Sequence, residues 1–375
     1  ICTVIQFVIT FLFNTTAMTI QAYERFVFIR LCLIIACVLQ PCINLLLLYH
    51  GGNVVTISVA TLVISFLTYV VYYCYAKKVL DLKYKFDNFD KNLFKNIFVF
   101  SAFLFLNTIT DQLTFSTDNI ILGIFSGSIM VAIYSVGSNF KNYFMAFSTS
   151  ASSVFAPKIN KIIAESGSDD ETNEIFIRIG RIQFYIVTLI LLGYIFLGRQ
   201  FVYLWVGNEY SDAYWIGLLL MISVYVPCFQ NIGLEIQKAK NMHKARSVVY
   251  FLIAIVNIII TIPLSLLYGG IGASFATCLC MFIGTVIFMN IYNYKKVGID
   301  IPAFWKSIFR ILPGMIIPIV YGVFINCFIN INSYWNLLFV ILGFVLVYFL
   351  SCWFFSMNHY EKDIFSKPLK RFLKK

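Results

Sequence analysis

Residues 29–78 read IRLCLIIACVLQPCINLLLLYHGGNVVTISVATLVISFLTYVVYYCYAKK, two apolar runs joined by His50-Gly51-Gly52. Each run has the roughly 20 residues that carry a helix across a hydrocarbon core. Neither alternates as a barrel strand would, and both are too long for one. Arg25 and Arg30 stand at the entry and Lys77 and Lys78 at the exit, while the turn between has no Lys or Arg. The stretch reads as a membrane hairpin with both basic ends on one side.

Outward from this hairpin the same pattern continues. Spans are expected at about 1–20, 29–49, 54–76, 97–125, 129–155, 180–198, 214–235, 247–267, 271–293, 307–329 and 335–355, eleven in all. Of the 28 Lys and Arg residues, all but Arg199 and Lys141 fall on alternate connections or the C-terminal tail. That is the positive-inside pattern, and it predicts a cytoplasmic C-terminus. A composition 60% hydrophobic and 12% charged leaves too little polar surface for a soluble domain. The net charge of +11 belongs to loops beside anionic headgroups and implies no nucleic-acid partner. The class expected is all-α and polytopic, with the lipid bilayer as its solvent.

An internal repeat organises these spans. Ile20-Gln21 matches Ile236-Gln237, Leu47-Leu48-Tyr49 with Gly51-Gly52 matches Leu266 to Gly270, and Lys77-Lys78 matches Lys295-Lys296. The near-constant offset predicts a parallel repeat, as in transporters that rock two six-helix lobes about a central site. Residues 1–96 then hold the last three helices of an N-terminal lobe and a linker. Residues 97–296 hold a C-terminal six-helix lobe, and 297–375 hold two extra helices and a basic tail. With no initiator Met or signal pattern ahead of the first run, three further helices are expected before Ile1, for fourteen in total.

Ionisable groups at membrane depth are costly and face a cavity or a partner. Asn107, Asp111, Thr114 and Asp118 recur on one helical stripe of span 97–125, and span 129–155 adds Asn139, Lys141 and Asn142. Counted from the turn at Ser126-Gly127-Ser128, Asp111 and Lys141 lie level, each roughly 20 Å deep. Two readings stand: an ion pair that sets helix register, or a central cavity in which Lys141 offers a cation to a phosphate. Arg25 and Arg30 flank the mouth of the first lobe, as topological anchors or as the first contact for an anionic headgroup. Arg199 and Glu235 read as solvated.

The remaining features point away from enzymes and cofactors. His50, His243 and His359 are scattered and form no metal-ligand spacing. The ten Cys lie mostly within spans, where Cys278 and Cys280 read as small core residues. There is no Walker A sequence, and Gly269-Gly270-Ile271-Gly272 is a turn between spans. Gly123 and Gly127 have GxxxG spacing, a packing signal. Residues 165–174 (ESGSDDETNE) read as an acidic loop, and Tyr360 to Lys375 as a basic, amphipathic helix on the inner leaflet.

Several stretches carry a family resemblance: Gln21 to Phe26 (QAYERF), Asp118 to Phe125 (DNIILGIF), Val131 to Gly137 (VAIYSVG), Phe155 to Lys158 (FAPK), Tyr203 to Gly207 (YLWVG) and Leu267 to Ala273 (LYGGIGA). With them the chain resembles the polysaccharide-unit, O-antigen (Wzx-type) flippases of the multidrug/oligosaccharidyl-lipid/polysaccharide exporter superfamily. The resemblance implies two six-helix lobes that move polyprenyl-diphosphate-linked oligosaccharides, such as lipopolysaccharide O-antigen units, across the bacterial inner membrane. It implies no cofactor, and a polysaccharide polymerase and chain-length regulator as protein partners. Charged residues lining the central cavity are expected to matter. Asn107, Asp111, Asp118, Asn139 and Lys141 are the candidates by position and chemistry, with Arg25 and Arg30 for headgroup capture and Asp111 or Asp118 for a coupling proton or cation.

Two transport alternatives share the repeat: a multidrug/cation antiporter, and an exporter of another lipid-linked envelope precursor. A membrane-embedded glycan polymerase or ligase would need a large external loop with catalytic Arg or His. The longest external connection, about Arg199 to Ala213, has one Arg and no His.

Overall fold

The structure is a computed structural model and describes residues 2–23, 25–80, 116–153, 169–240, 244–329 and 333–363. It also describes residues 91, 92, 94, 95, 97, 98, 101, 105, 112, 242 and 331. These residues are helical or in turns, and the chain divides into two compact units, residues 1–97 and 98–375.

The first unit holds α1 (Cys2–Ala22), α2 (Phe26–Tyr49) and α3 (Val54–Lys78). Ile20, Tyr72 and Ala76 form its small buried core. Side-chain bonds add to it: Gln6 donates to Ser65 at 3.1 Å, and Gln40 on α2 donates to Thr61 on α3 at 3.3 Å. Such bonds hold helices together where lipid tails remove the hydrophobic drive between them. α2 buries no residue within this unit.

The second unit continues with α4 (Thr117–Phe125), α5 (Gly127–Ser153), α6 (Asp169–Val206), α7 (Asp212–Phe229), α8 (Ile232–Ala239) and α9 (Lys244–Met281). α9 is broken at Gly269, and after it the chain runs through π-helical turns around α10 (Met289–Tyr292). α11 (Ile301–Phe309), α12 (Ile316–Phe328) and α13 (Tyr334–Phe355) follow. α11 starts at an Asp300 cap, whose carboxylate accepts from Ala303 N at 3.0 Å. It meets α12 at a 42° bend carrying Pro313.

Seven described helices, or eight with this bent pair, are long and apolar enough to cross a membrane. The difference from the eleven expected spans has local causes. The run Val248–Val297 holds two spans divided at Gly269. The 27-residue α5 is diluted by Ser, Asn and Lys, and span 97–125 is described as a helix only from Thr117. The fold is all-α and polytopic.

Glycines place the turns and one close helix contact. Gly127, at φ 82, turns α4 into α5, so its positive φ, beyond any packing role in a GxxxG pair, explains the residue. Gly137 sets α5 tight on α7: a Cβ there would stand 2.7 Å from Ile216 Cγ2 and 2.9 Å from the Ala213 carbonyl. Tyr134, Phe144, Leu191, Ile216, Leu220 and Met221 fill the core between α5, α6, α7 and α9. A second core, with Phe176, Phe184, Phe229, Phe304 and Tyr348, lies towards the basic end and joins α6 to the C-terminal helices.

That end is closed by an ion pair. Arg181 on α6 donates from Nε to Glu361 Oε1 at 2.5 Å and from Nη2 to Oε2 at 3.0 Å, with Glu361 only 2% exposed. Nη1 reaches the Ser307 carbonyl at 2.9 Å, and Tyr185 donates to Glu361 at 3.3 Å. The start of the tail is thus held in the protein by a buried charge, whereas an amphipathic surface helix was expected from Tyr360. Residues 364–375 lie outside the described residues. Glu235, expected to be solvated, pairs with Lys238 at 2.9 Å.

Candidate functional site

α5 carries a polar stripe. Ser138, Lys141, Asn142, Met145, Ser148 and Thr149 recur at helical spacing and line one side of a cavity of about 580 Å³. Gln112, Ser116 and Asn119 line it from the preceding segment, Val224, Cys228 and Asn231 from α7 and the turn beyond it, and Arg246, Tyr250 and Met281 from α9. Of these described lining residues two are cationic, Lys141 and Arg246, and none is acidic.

The cavity occupies about two thirds of the depth, on the side of the basic end. Counted from the turns at Gly127 and Gly269 with the helical rise, Asn119 lies roughly 12 Å deep, Lys141 roughly 21 Å, and Arg246 roughly 34 Å. The space therefore runs from above Lys141 to the basic end of the unit. Its walls there are braced by a buried network: Ser148 donates to the Cys228 carbonyl at 2.5 Å, Gln183 to Ser152 at 2.7 Å, and Asn231 to Ser152 at 3.0 Å.

Beside the turnward end of the cavity lies a second, buried cluster. Asp118, 1% exposed, accepts from the Tyr134 hydroxyl at 2.5 Å and the Thr277 hydroxyl at 2.8 Å through Oδ2. Asn257 Nδ2 donates to Thr277 at 3.2 Å, and Thr261 donates to Asn257 Oδ1 at 3.2 Å. Among the described residues Asp118 Oδ1 has no hydrogen-bond partner. All five side chains are buried and come from α4, α5 and both halves of α9. A carboxylate kept from water costs several kcal/mol unless donors or a cation compensate it.

The structure sorts the sequence candidates. Lys141 lines the cavity, together with Asn142. Asp118 is not among the lining residues and sits in the buried cluster, bonded by the Tyr134 and Thr277 hydroxyls. Asn139 is exposed and falls off the polar stripe of α5, about 120° from its centre at 100° per residue. Arg25 and Arg30 belong to the first unit and are exposed. Asn107 and Asp111 lie outside the described residues. Arg246, Asn257 and Thr277 were not singled out by sequence. Arg246 looked like one more loop cation, although its i, i+4 spacing to Tyr250 was visible.

Phe140 on α5 makes ring contacts with Phe201 and Trp205 of α6, and Tyr214 makes one with Trp215 at the start of α7. Trp205 and Trp215 are each about half exposed, as in the aromatic belt of a membrane interface. Arg199 lines a separate cleft of about 420 Å³ at this end, with Gln200, Tyr203 and Asn326.

Fold and cavity together define a polytopic helical membrane protein with a polar chamber in its second unit. Residues 2–214 match the family described as polysaccharide biosynthesis protein, and the chain belongs to that family. A solved structure, the lipid II flippase MurJ in its inward closed conformation, superposes with a TM-score of 0.70. The match covers 96% of this chain and 72% of that one at 18% identity, a likeness of fold. No curated protein matches the sequence.

Proposed function

We propose that the protein moves a lipid-linked saccharide with a phosphoryl anchor across the bacterial cytoplasmic membrane by alternating access. The observation that carries this is the chamber: neutral hydrogen-bonding side chains for sugars, Lys141 and Arg246 for phosphoryl oxygens, and no carboxylate among its described lining residues. Sugars and a diphosphate entering bare hydrocarbon would lose their hydration at prohibitive cost, and a polar chamber substitutes for that water. The lipid tail needs no such chamber and stays in the bilayer. On the positive-inside reading the basic end is cytoplasmic, so the chamber of the second unit reaches towards the cytoplasmic side, and the Asp118 cluster lies on the side of the turns. Loading on one face and release on the other is a shift between two such states.

The Asp118 cluster is the proposed coupling element. Asp118 Oδ1, Asn257 Oδ1 and the Thr261 hydroxyl offer oxygen to a proton or a hard cation in a buried place. An ion there would neutralise the carboxylate and hold α4, α5 and α9 together, so its release would favour their separation.

The family supports a polysaccharide unit as cargo, and O-antigen units are the specific case proposed. The fold likeness supports a second cargo, a peptidoglycan precursor such as the one MurJ is named for. The deciding experiment deletes the full-length gene in its host and profiles polyprenyl-linked intermediates together with surface glycan. Accumulated oligosaccharide intermediates with loss of surface glycan, restored by the gene, are expected. Accumulated peptidoglycan precursor would select the second cargo. Unchanged intermediates with greater sensitivity to cationic drugs would overturn the flippase reading in favour of an antiporter.

A further inference from the structure

The chamber shares Arg246 and Tyr250 with a polar cleft of about 30 Å³, whose walls also include Gln230, Gln237, Thr285 and Asn293. That volume is about the share of one water molecule. Arg246 lies 4.6 Å over the Tyr250 ring, and its Nη2 donates to the Tyr250 hydroxyl at 3.1 Å. A guanidinium has five N–H donors and this bond uses one. None of the ion pairs found among the described residues involves Arg246. Beside it, Gln230 presents a buried Nε2 with no partner. Gln237 Oε1, also buried and unpartnered, suits a bridging water.

A part-buried guanidinium with open donors, next to an unpartnered amide donor, is built to receive an oxyanion. Its depth separates it from the other cation. Arg246 and Lys141 differ in backbone depth by roughly 13 Å at 1.5 Å per residue, so they stand at successive levels of the chamber, Arg246 nearer its basic mouth.

We propose that Arg246 is an entry station: it receives the phosphoryl groups of the substrate at the basic mouth and passes them to Lys141, and Tyr250 parks the guanidinium when it is empty. This rests on the flippase reading. The guanidinium leaves the Tyr250 ring as the anion arrives, which exchanges a cation–π contact for charge-assisted hydrogen bonds. The same chemistry would accept the phosphate of an anionic phospholipid, so the test separates the two sources.

The full-length protein is reconstituted in vesicles with polyprenyl-diphosphate oligosaccharide, and initial transport rates are measured against substrate mole fraction. Arg246→Gln is expected to raise the half-saturating fraction by about tenfold, the loss of one or two charge-assisted bonds, with the maximal rate within about twofold. Arg246→Lys should recover part of the shift, and Tyr250→Phe should change it by less than about threefold. Lys141→Gln should instead lower the maximal rate. The shift should appear equally in vesicles with and without phosphatidylglycerol. A shift seen only with phosphatidylglycerol would assign the site to membrane headgroups and overturn the handover, as would an unchanged half-saturating fraction in Arg246→Gln. Wild-type protein that carries no substrate would overturn the flippase reading instead. Inorganic pyrophosphate binding to wild-type and Arg246→Gln protein would then test the anion site alone, and equal binding would overturn it.

Discussion

The hairpin of α2 and α3 and the hairpin of the two halves of α9 share one frame but differ in what the frame meets. Each turns on a glycine at positive φ, Gly51 at 78° and Gly269 at 55°, and each ends at a di-lysine. Each also joins its two helices by a carboxamide that donates to a threonine: Gln40 to Thr61 at 3.3 Å, and Asn257 to Thr277 at 3.2 Å. In the first unit that pair is part-buried and has no carboxylate beside it among the described residues. In the second it is buried and continues through Thr277 to Asp118. A shared hairpin pattern therefore sets where polar groups can stand, and the neighbouring helix decides whether a carboxylate joins them.

The largest expected effect lies at the basic end of the second unit. Arg181→Ala would leave Glu361 buried without its cation, a loss of about 3–5 kcal/mol. Thermal unfolding in detergent should fall sharply, and Arg181→Met with Glu361→Met should recover most of it. A small change in Arg181→Ala would mean that the C-terminal helices are held by apolar packing alone.

Asp118→Asn comes next. It keeps the shape of the cluster but removes the charge, and transport should fall about 10- to 100-fold, the range of a 1–3 kcal/mol coupling. Dependence of the residual transport on the driving ion should weaken as well. Full activity in Asp118→Asn would reduce the cluster to a packing element and erase the functional difference between the two hairpins.

The glycines sharpen the comparison of frames. Gly269→Ala faces both a backbone conformation closed to L-residues (φ 55, ψ −135) and Met130 Cε at 3.1 Å, and should cost about 1–3 kcal/mol. Gly51→Ala meets nothing within 4 Å and should cost about 1 kcal/mol, from its positive φ alone. Equal losses in denaturation would show that the Met130 contact relaxes freely. The smallest effect belongs to Gln40→Leu, expected within about 0.5 kcal/mol because the bond it breaks is part-exposed. A loss of transport in Gln40→Leu would mean that the first hairpin carries a site of its own.

Much of this was legible without coordinates. The spans follow from runs of about 20 apolar residues, and α1, α2, α3 and α13 appear within a few residues of expectation. Lys141 was recognisable because a cation in an apolar run needs a polar surrounding. Asp118 was recognisable as buried chemistry for the same reason, but its stripe could not say which of its faces met the chamber. Arg246 was hidden among loop cations, since charge pattern reports which side of the membrane a residue is on and not what it lines. Glu361 was hidden in a basic tail for a similar reason.

The sequence by itself determined the membrane class, and it set the expected sidedness, the expected repeat and the expected depth of each polar group. These depend on local quantities: run length, helical rise and the cost of burying charge. Only the tertiary structure decided that Asp118 closes with Tyr134 and Thr277 while Lys141 opens onto the chamber with Arg246. Those partners come from helices as much as 159 positions apart in the chain. Their meeting depends on which helix faces pack, a choice made by steric fits such as Gly137 against α7 that no single span encodes.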